Sequence, residues 1–328
     1  PRTDCRGASD LPYLGPVPMV MHVHGAHVGP ASDGYPEAWW LPAANNIPNG
    51  YATKGTFFES ADKKDKKGDT GKALFEYTND QPTTTLWYHD HSLGMTRLNV
   101  YAAGAGFWMI RDANDGETGL VSGTLPGPAP KAGDDPNGDP AVRAAIREIP
   151  IAIQPKSYNA DGTQYYPADR AFFEGLGLLG GIFADNTDLN IPFLPQATSD
   201  IAPVWNPEAF FNTLVVNGTT WPQLEVAQER YRLRFVNAAD SRFLNMALFV
   251  VNGGGSLGQE IPFYQIGSDQ GLLPAVVRIE TGFATTLPGD GSDVGSGVTP
   301  VPGTFAEQAL LMGPAERTDV IVDFSGLA

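Results

Sequence analysis

No apolar run in this chain goes far before a glycine or a proline interrupts it. The 38 glycines and 28 prolines are about a fifth of the 328 residues. That density favours many short strands and turns over long helices. The stretches "PVPMVMHVHG", "ALFEYTND", "TTTLWYHDH" and "GAGFWMIRD" are apolar or alternating and bounded by turn residues. They predict antiparallel strands of a sandwich or barrel. "IPIAIQ", "NTLVVNG", "YRLRFVNAA", "FLNMALFVV", "IPFYQIG", "AVVRIE" and "RTDVIVDF" repeat the pattern further on. "VVNGTTWP" contains Asn-Gly, the strongest short hairpin signal, and "PAVRAAIRE" supports a short helix at most. Asn217 also opens an Asn-Gly-Thr sequon, a weak signal on its own.

A chain of this length suggests two domains, each able to bury a core. The expected class is all-β, with tandem sandwiches at 1–112 and 149–328. The stretch "DANDGETGLVSGTLPGPAPKAGDDPNGDP" has little apolar content, so 113–148 reads as a linker. Residues 283–305 read as a long Gly/Pro-rich surface loop between strands. Hydrophobic residues are 42% and charged ones 18% of the chain, which fits an ordered protein. No apolar run approaches the roughly 20 residues of a membrane helix. The net charge of −16 comes without any basic stripe, which argues against nucleic acid. Lys63, Lys64, Lys66 and Lys67 sit among aspartates and read as a solvated loop. A single cysteine, Cys5, excludes a disulfide within this chain.

Histidines are scarce and clustered. There are five, three in "MHVHGAHV" and two in "LWYHDHSLG". In a strand, residues i and i+2 point to one face. His22 and His24 would project together, with Val23 turned away; His89 and His91 would do the same, with Asp90 turned away. Two such pairs in neighbouring strands present four imidazoles to one point, a donor set suited to Cu, Zn, Fe or Ni. Four buried rings without a metal would each need hydrogen-bond partners, and backbone carbonyls are the competing explanation. A cupin barrel also offers His-x-His. It would need a nearby glutamate and a single later histidine, whereas this chain has no acid at suitable spacing before Asp33 and then a second complete pair.

"MHVHGAHVGPASDGYPEAW" and "LWYHDHSLGMTRLNVYAAGAGFWMIRD" resemble the first two copper-binding motifs of the multicopper oxidases, in the branch of bacterial laccases, spore-coat laccases and bilirubin oxidases. "LVVNGTTWPQLEV", "YRLRFVNAADSR", "FYQIGSDQGLLP" and "GPAERTDVIVDF" are similar to that branch's second domain. The resemblance implies cupredoxin-like Greek-key sandwiches and a trinuclear copper cluster shared with a third domain. His22 matches a ligand of the type 2 copper, and His24, His89 and His91 match ligands of the paired type 3 coppers. Asp33 matches the acid that helps deliver protons to reducing dioxygen. His27 has no ligand counterpart and reads as a surface or supporting residue. Trp87, Tyr88 and Trp108 read as core aromatics, and Met95 and Met109 as packing residues.

The resemblance also implies what lies elsewhere. A type 1 copper needs a His-Cys-His pattern, and Cys5, followed by "RGASD", does not supply it. The expectation is an N-terminally short first domain plus the second, completed by a C-terminal cupredoxin domain that carries the remaining ligands, on another chain or a continuation of this one. The implied activity couples one-electron oxidation of phenols, aromatic amines, bilirubin-like pigments or metal ions to reduction of dioxygen. The alternatives are a non-catalytic cupredoxin-type structural protein and a copper-binding or storage module. An extracellular, periplasmic or spore-surface location is the expectation, although no targeting signal is visible.

Overall fold

The computed structural model describes residues 17–42, 52–58, 71–102, 104–111, 125–136, 138–166, 211–280, 306–307 and 310–327. Cys5, the lysines at 63–67, the stretch 112–124 and the loop 283–305 lie outside the described residues.

The first block is a three-stranded antiparallel sheet of β1 (Met21–His24), β2 (Thr84–Asp90) and β3 (Ala105–Ile110), in that order. Between β2 and β3 the chain forms a helix, α1 (Thr96–Tyr101), where the sequence reads as strand and turn. The segment turns at Gly94, whose φ of +73° lies in the left-handed region that glycine adopts without strain. The helix then buries Val100 and Tyr101, with the Tyr101 ring 4.3 Å from that of Phe211. Six residues are too few to establish a 3.6-residue period in sequence.

The second block opens with α2 (Pro140–Ala145), the short helix expected in "PAVRAAIRE". Asp139 caps it, accepting from the Ala141 N–H at 2.8 Å, and proline occupies the first turn, where its missing N–H costs nothing. Then follow β4 (Glu148–Lys156), β5 (Thr213–Val216), β6 (Thr219–Thr220), β7 (Arg230–Asn237), β8 (Leu244–Met246), β9 (Phe249–Val251), β10 (Leu257–Glu260), β11 (Phe263–Ser268), β12 (Gly271–Ile279), β13 (Ala306–Glu307), β14 (Leu310–Met312) and β15 (Arg317–Asp323). Eight of them form one sheet in the order β13-β12-β11-β15-β7-β4-β5-β6, while β14 pairs with β8 and β10 with β9. β5 and β6 are the hairpin that Asn-Gly announces. Asn217 and Gly218 have φ of +48° and +83°, the pair of positive values a type I′ turn requires. The Asn217 side chain also ties the hairpin to β4, accepting from the Ala152 N–H at 2.8 Å and donating to the Pro150 carbonyl at 2.9 Å.

The core explains the layering. Leu244, Leu310 and Met312 of the small β8–β14 sheet pack on Ile149, Ile153, Leu233, Phe235, Val320 and Val322 of the large one. Each such side chain, fully buried, contributes roughly 1.5–3 kcal/mol. β7 is central, between β15 and a parallel β4, and is buried at every position but its first. Its other face meets the first block through charge. Glu148, fully buried, accepts from Arg111 at 3.0 Å and from Arg234 at 3.2 Å. Arg234 also donates to the Thr85 hydroxyl on β2 at 2.7 Å, and Arg232 donates to Asp319 at 2.9 Å. The Arg234–Thr85 bond ties β2 to the large sheet, and β2 carries His89 and leads into His91. No helix among the described residues is long and apolar enough to cross a membrane.

Candidate metal centre

The register of the β1–β2 pair decides the site. Met21 faces Asp90, His22 faces His89, Val23 faces Tyr88 and His24 faces Trp87. Directly opposed residues in an antiparallel pair share a face. His22, His24, His89 and Trp87 therefore project to one side. Val23, with no exposed surface, and Leu86 project to the other, in a core with Ile110, Tyr88 and Trp108. His91 lies one residue beyond the end of β2, and its N–H donates to the Val20 carbonyl at 2.9 Å, which keeps it beside β1.

All four rings meet. Centroids are 5.3 Å apart for His22–His24, 5.1 Å for His22–His89, 4.9 Å for His22–His91 and 5.5 Å for His24–His89. Donor nitrogens of His22, His24 and His89 all lie within 4.8 Å of one another. The ring orientations are set from behind. His22 Nδ1 stands 2.5 Å from the Asp33 carbonyl, and His89 Nδ1 is 2.8 Å from the Asp90 carbonyl. A ring that donates from Nδ1 keeps its lone pair on Nε2, which is the arrangement a metal donor needs. His91 Nδ1 is buried and has no hydrogen-bond partner among the described residues. Such an orphaned polar atom calls for a ligand.

Burial drives the proton affinities down. His24 is lowered to about 3 by desolvation first, then by the Arg317 charge and its neighbouring rings. His89 is lowered to about 4, again chiefly by desolvation, with its bond to Asp90 opposing. His22 is lowered by burial, offset in part by Asp33. Neutral imidazoles at neutral pH are what metal binding requires. Four nitrogen donors, three of them already converged and one left unsatisfied, fit copper without a thiolate or carboxylate ligand.

The surrounding residues hold this arrangement. Asp90, 4% exposed, lies on the far side, as expected, and its carboxylate accepts from the Val20 N–H at 2.8 Å and from the Ser92 hydroxyl at 2.7 Å. Gly34, at φ +85°, lets the Asp33 loop lie on β1; a Cβ there would come within 2.7 Å of His22 Cβ. The Asp33 carboxylate, 55% exposed, has Oδ1 3.4 Å from His22 Nδ1. His27 is exposed and is held by its backbone, its N–H donating to Gln81 at 2.7 Å. Trp87 is buried, its ring 4.5 Å from that of His89, and forms one wall of the cluster. Sequence reading does not find Arg317 or the Glu148 network. Their partners lie far away in the chain, and no local pattern signals them.

No protein-family model matches the chain. A laccase of Bacillus stratosphericus is 30% identical over 309 residues, which is 94% of this chain and 41% of the laccase. A laccase of Bacillus subtilis is 29% identical over 309 residues, 94% of this chain and 40% of that protein. A multicopper oxidase of Oryza sativa subsp. japonica is 30% identical over 316 residues, 96% of this chain and 37% of the relative. Among solved structures, a multicopper oxidase from the hyperthermophile Aquifex aeolicus superimposes with a TM-score of 0.51 at 19% identity, covering 95% of this chain and 43% of that one. One from Pediococcus acidilactici gives a TM-score of 0.51 at 21% identity, covering 95% and 41%. The chain spans under half the length of the relatives it matches. Its mostly-strand architecture is the cupredoxin-like fold of these oxidase structures. Over nearly all of its residues the chain is thus similar in sequence to part of proteins named laccase and multicopper oxidase, and it shares the fold of solved multicopper oxidases.

Proposed function

We propose that this chain contributes half of the ligands of a trinuclear copper cluster in a laccase-like oxidase, with His22 on the type 2 copper and His24, His89 and His91 on the paired type 3 coppers. The observation that carries this reading is the convergence of three donor nitrogens within 4.8 Å, from strands whose register sets His22 opposite His89. The similarity to proteins named laccase and multicopper oxidase supports it. The remaining imidazoles come from a further cupredoxin domain, on a second chain or in the same polypeptide, and residues 1–112 and 149–328 act as two sandwiches that present this half of the site. Bound copper supplies one-electron redox chemistry, linking oxidation of phenols, aromatic amines, pigments or metal ions to reduction of dioxygen to water.

The chain's own residues orient and protonate. The Asp33 and Asp90 carbonyls hold Nδ1 of His22 and His89 and turn each Nε2 into the cluster, where that of His89 lies 3.3 Å from His24 Nδ1, a contact that a bound metal would replace. Dioxygen reduction consumes protons. The Asp33 carboxylate, open to water on one side and 3.4 Å from His22 on the other, takes a proton from solvent and releases it toward the cluster. Trp87 closes one side of the cluster against bulk water.

The test uses the longest polypeptide that contains this sequence. Copper is counted per particle, and oxygen uptake is followed with a phenolic donor. The reading predicts bound copper and donor-dependent uptake, with both lost in His89→Ala. Undiminished uptake in folded His89→Ala contradicts it.

A further inference from the structure

The histidine cluster is braced by a guanidinium from the other block. Arg317 opens β15, and its side chain is 2% exposed. It nonetheless reaches β2, donating from Nε to the Thr85 carbonyl at 2.9 Å. Nη2 donates to the Asp269 carbonyl at 2.8 Å, and Nη1 donates to the Ala315 carbonyl at 3.1 Å and lies 3.1 Å from Asp269 Oδ1. Asp269 is anchored in turn, its carboxylate accepting from the Arg317 N–H at 2.8 Å and its carbonyl from the Thr84 hydroxyl at 3.0 Å. The fork is therefore fixed in place before it meets β1.

It meets β1 at Gly25, the residue after His24. A Cβ at Gly25 would collide with Arg317 Nη2 and come within 3.0 Å of Leu86 Cδ2, and Gly25 has φ of +87°. The guanidinium fills the volume a side chain would need, and only glycine allows the chain to turn there. One side chain thus touches the end of β1 just past His24 and holds the backbone of β2 four residues before His89. A lysine could keep the charge, but its single ammonium cannot reproduce a planar fork with several fixed N–H directions.

We propose that Arg317 is a positioning residue for the metal centre, setting the spacing between the β1 and β2 imidazoles by packing against Gly25 while it hydrogen-bonds the Thr85 carbonyl. This inference rests on reading the four histidines as a copper site. Groups that orient metal ligands from behind change affinity by about 10–100-fold when altered.

The experiment titrates cupric ion into the full protein and its variants, with the cupric EPR spectrum as a second readout and thermal melting as a check on folding. Arg317→Lys is expected to bind copper about tenfold or more weakly, with altered EPR hyperfine splitting. Arg230→Lys, a surface guanidinium paired with Asp323, is expected to match the parent. A folded Arg317→Lys with the parent's affinity and spectrum overturns the proposal. If Arg317→Lys does not fold, Asp269→Asn, which removes only the carboxylate brace, decides: weaker binding supports the proposal and parental binding overturns it. If the parent itself binds no copper, the copper reading fails, and the metal-free 15N histidine spectrum decides the role of Arg317. A displaced His24 signal in the variant then supports positioning, and an unmoved one overturns it.

Discussion

His22 on β1 and His89 on β2 are register partners, their rings 5.1 Å apart and edge to face. A one-residue slip of either strand would send one of them to the opposite face, among Val23 and Leu86. The pairing is held against such slips by Asp90 on the far side, which bonds Val20 just before β1 and Ser92 just after β2. The convergence of the imidazoles is thus a consequence of strand register, and register is set by groups outside the cluster.

Gly34 is the first point at which this can be tested. Its φ of +85° and the 2.7 Å approach that an added methyl would make to His22 Cβ leave no room for a side chain. Gly34→Ala should destabilise the protein by roughly 1–3 kcal/mol, the usual cost of a strained left-handed residue, and should move the His22 ring. Urea unfolding measures the first effect, and histidine 15N spectra measure the second.

Glu148 should prove the most sensitive charged position. It is fully buried with Arg111, Arg232 and Arg234 around it. Glu148→Ala leaves buried guanidinium charge without its carboxylate, a change that costs about 3–5 kcal/mol. A loss of that size in the free energy of urea unfolding is expected, and a change below about 1 kcal/mol would show that the network is incidental.

Asp240 sets a pH dependence. Desolvation raises its carboxyl to about 7, against an ordinary 3.8, with Arg97 and Lys156 opposing. The folded state therefore keeps a proton that the unfolded chain releases near 3.8. The stability this gives is complete below that value and is lost as pH rises toward about 7. Denaturation midpoints of the parent should fall relative to Asp240→Asn across this interval. Parallel curves would show that Asp240 titrates normally.

Asn217 links the type I′ hairpin to β4 by two side-chain hydrogen bonds. Asn217→Ala removes both and places a residue that disfavours positive φ in the turn. A loss of roughly 1–2 kcal/mol in chemical unfolding is expected. Asn217→Asp keeps an acceptor for the Ala152 N–H and should lose less.

Local signals made part of this legible in the sequence. The His22–His24 pair on β1, the Asn217–Gly218 hairpin and the "PAVRAA" helix each rest on residues close together in the chain and are found where local pattern and turn chemistry place them, whereas His91 falls just past the end of β2 and reaches the cluster from the turn that follows. The helix Thr96–Tyr101 was hidden, because Leu98, Val100 and Tyr101 suit a buried strand as well as one buried helical turn. Arg232 and Arg234 were hidden for a different reason. Alternating arginines in "RYRLRFVN" resemble a solvent-facing strand side, yet both are completely buried, Arg234 against Thr85 of β2 and Arg232 against Asp319 and Glu148. Arg234 finds Thr85 at 149 positions' distance, and Arg317 finds it at 232. Contacts of that range belong to the tertiary fold and leave no periodic trace.

The most direct measurement is anomalous diffraction at the copper edge from crystals of the protein grown with cupric ion. A peak enclosed by the rings of His22, His24 and His89, beside His91, is the predicted result. Empty density among those four imidazoles, with copper ordered elsewhere or nowhere, would contradict the account.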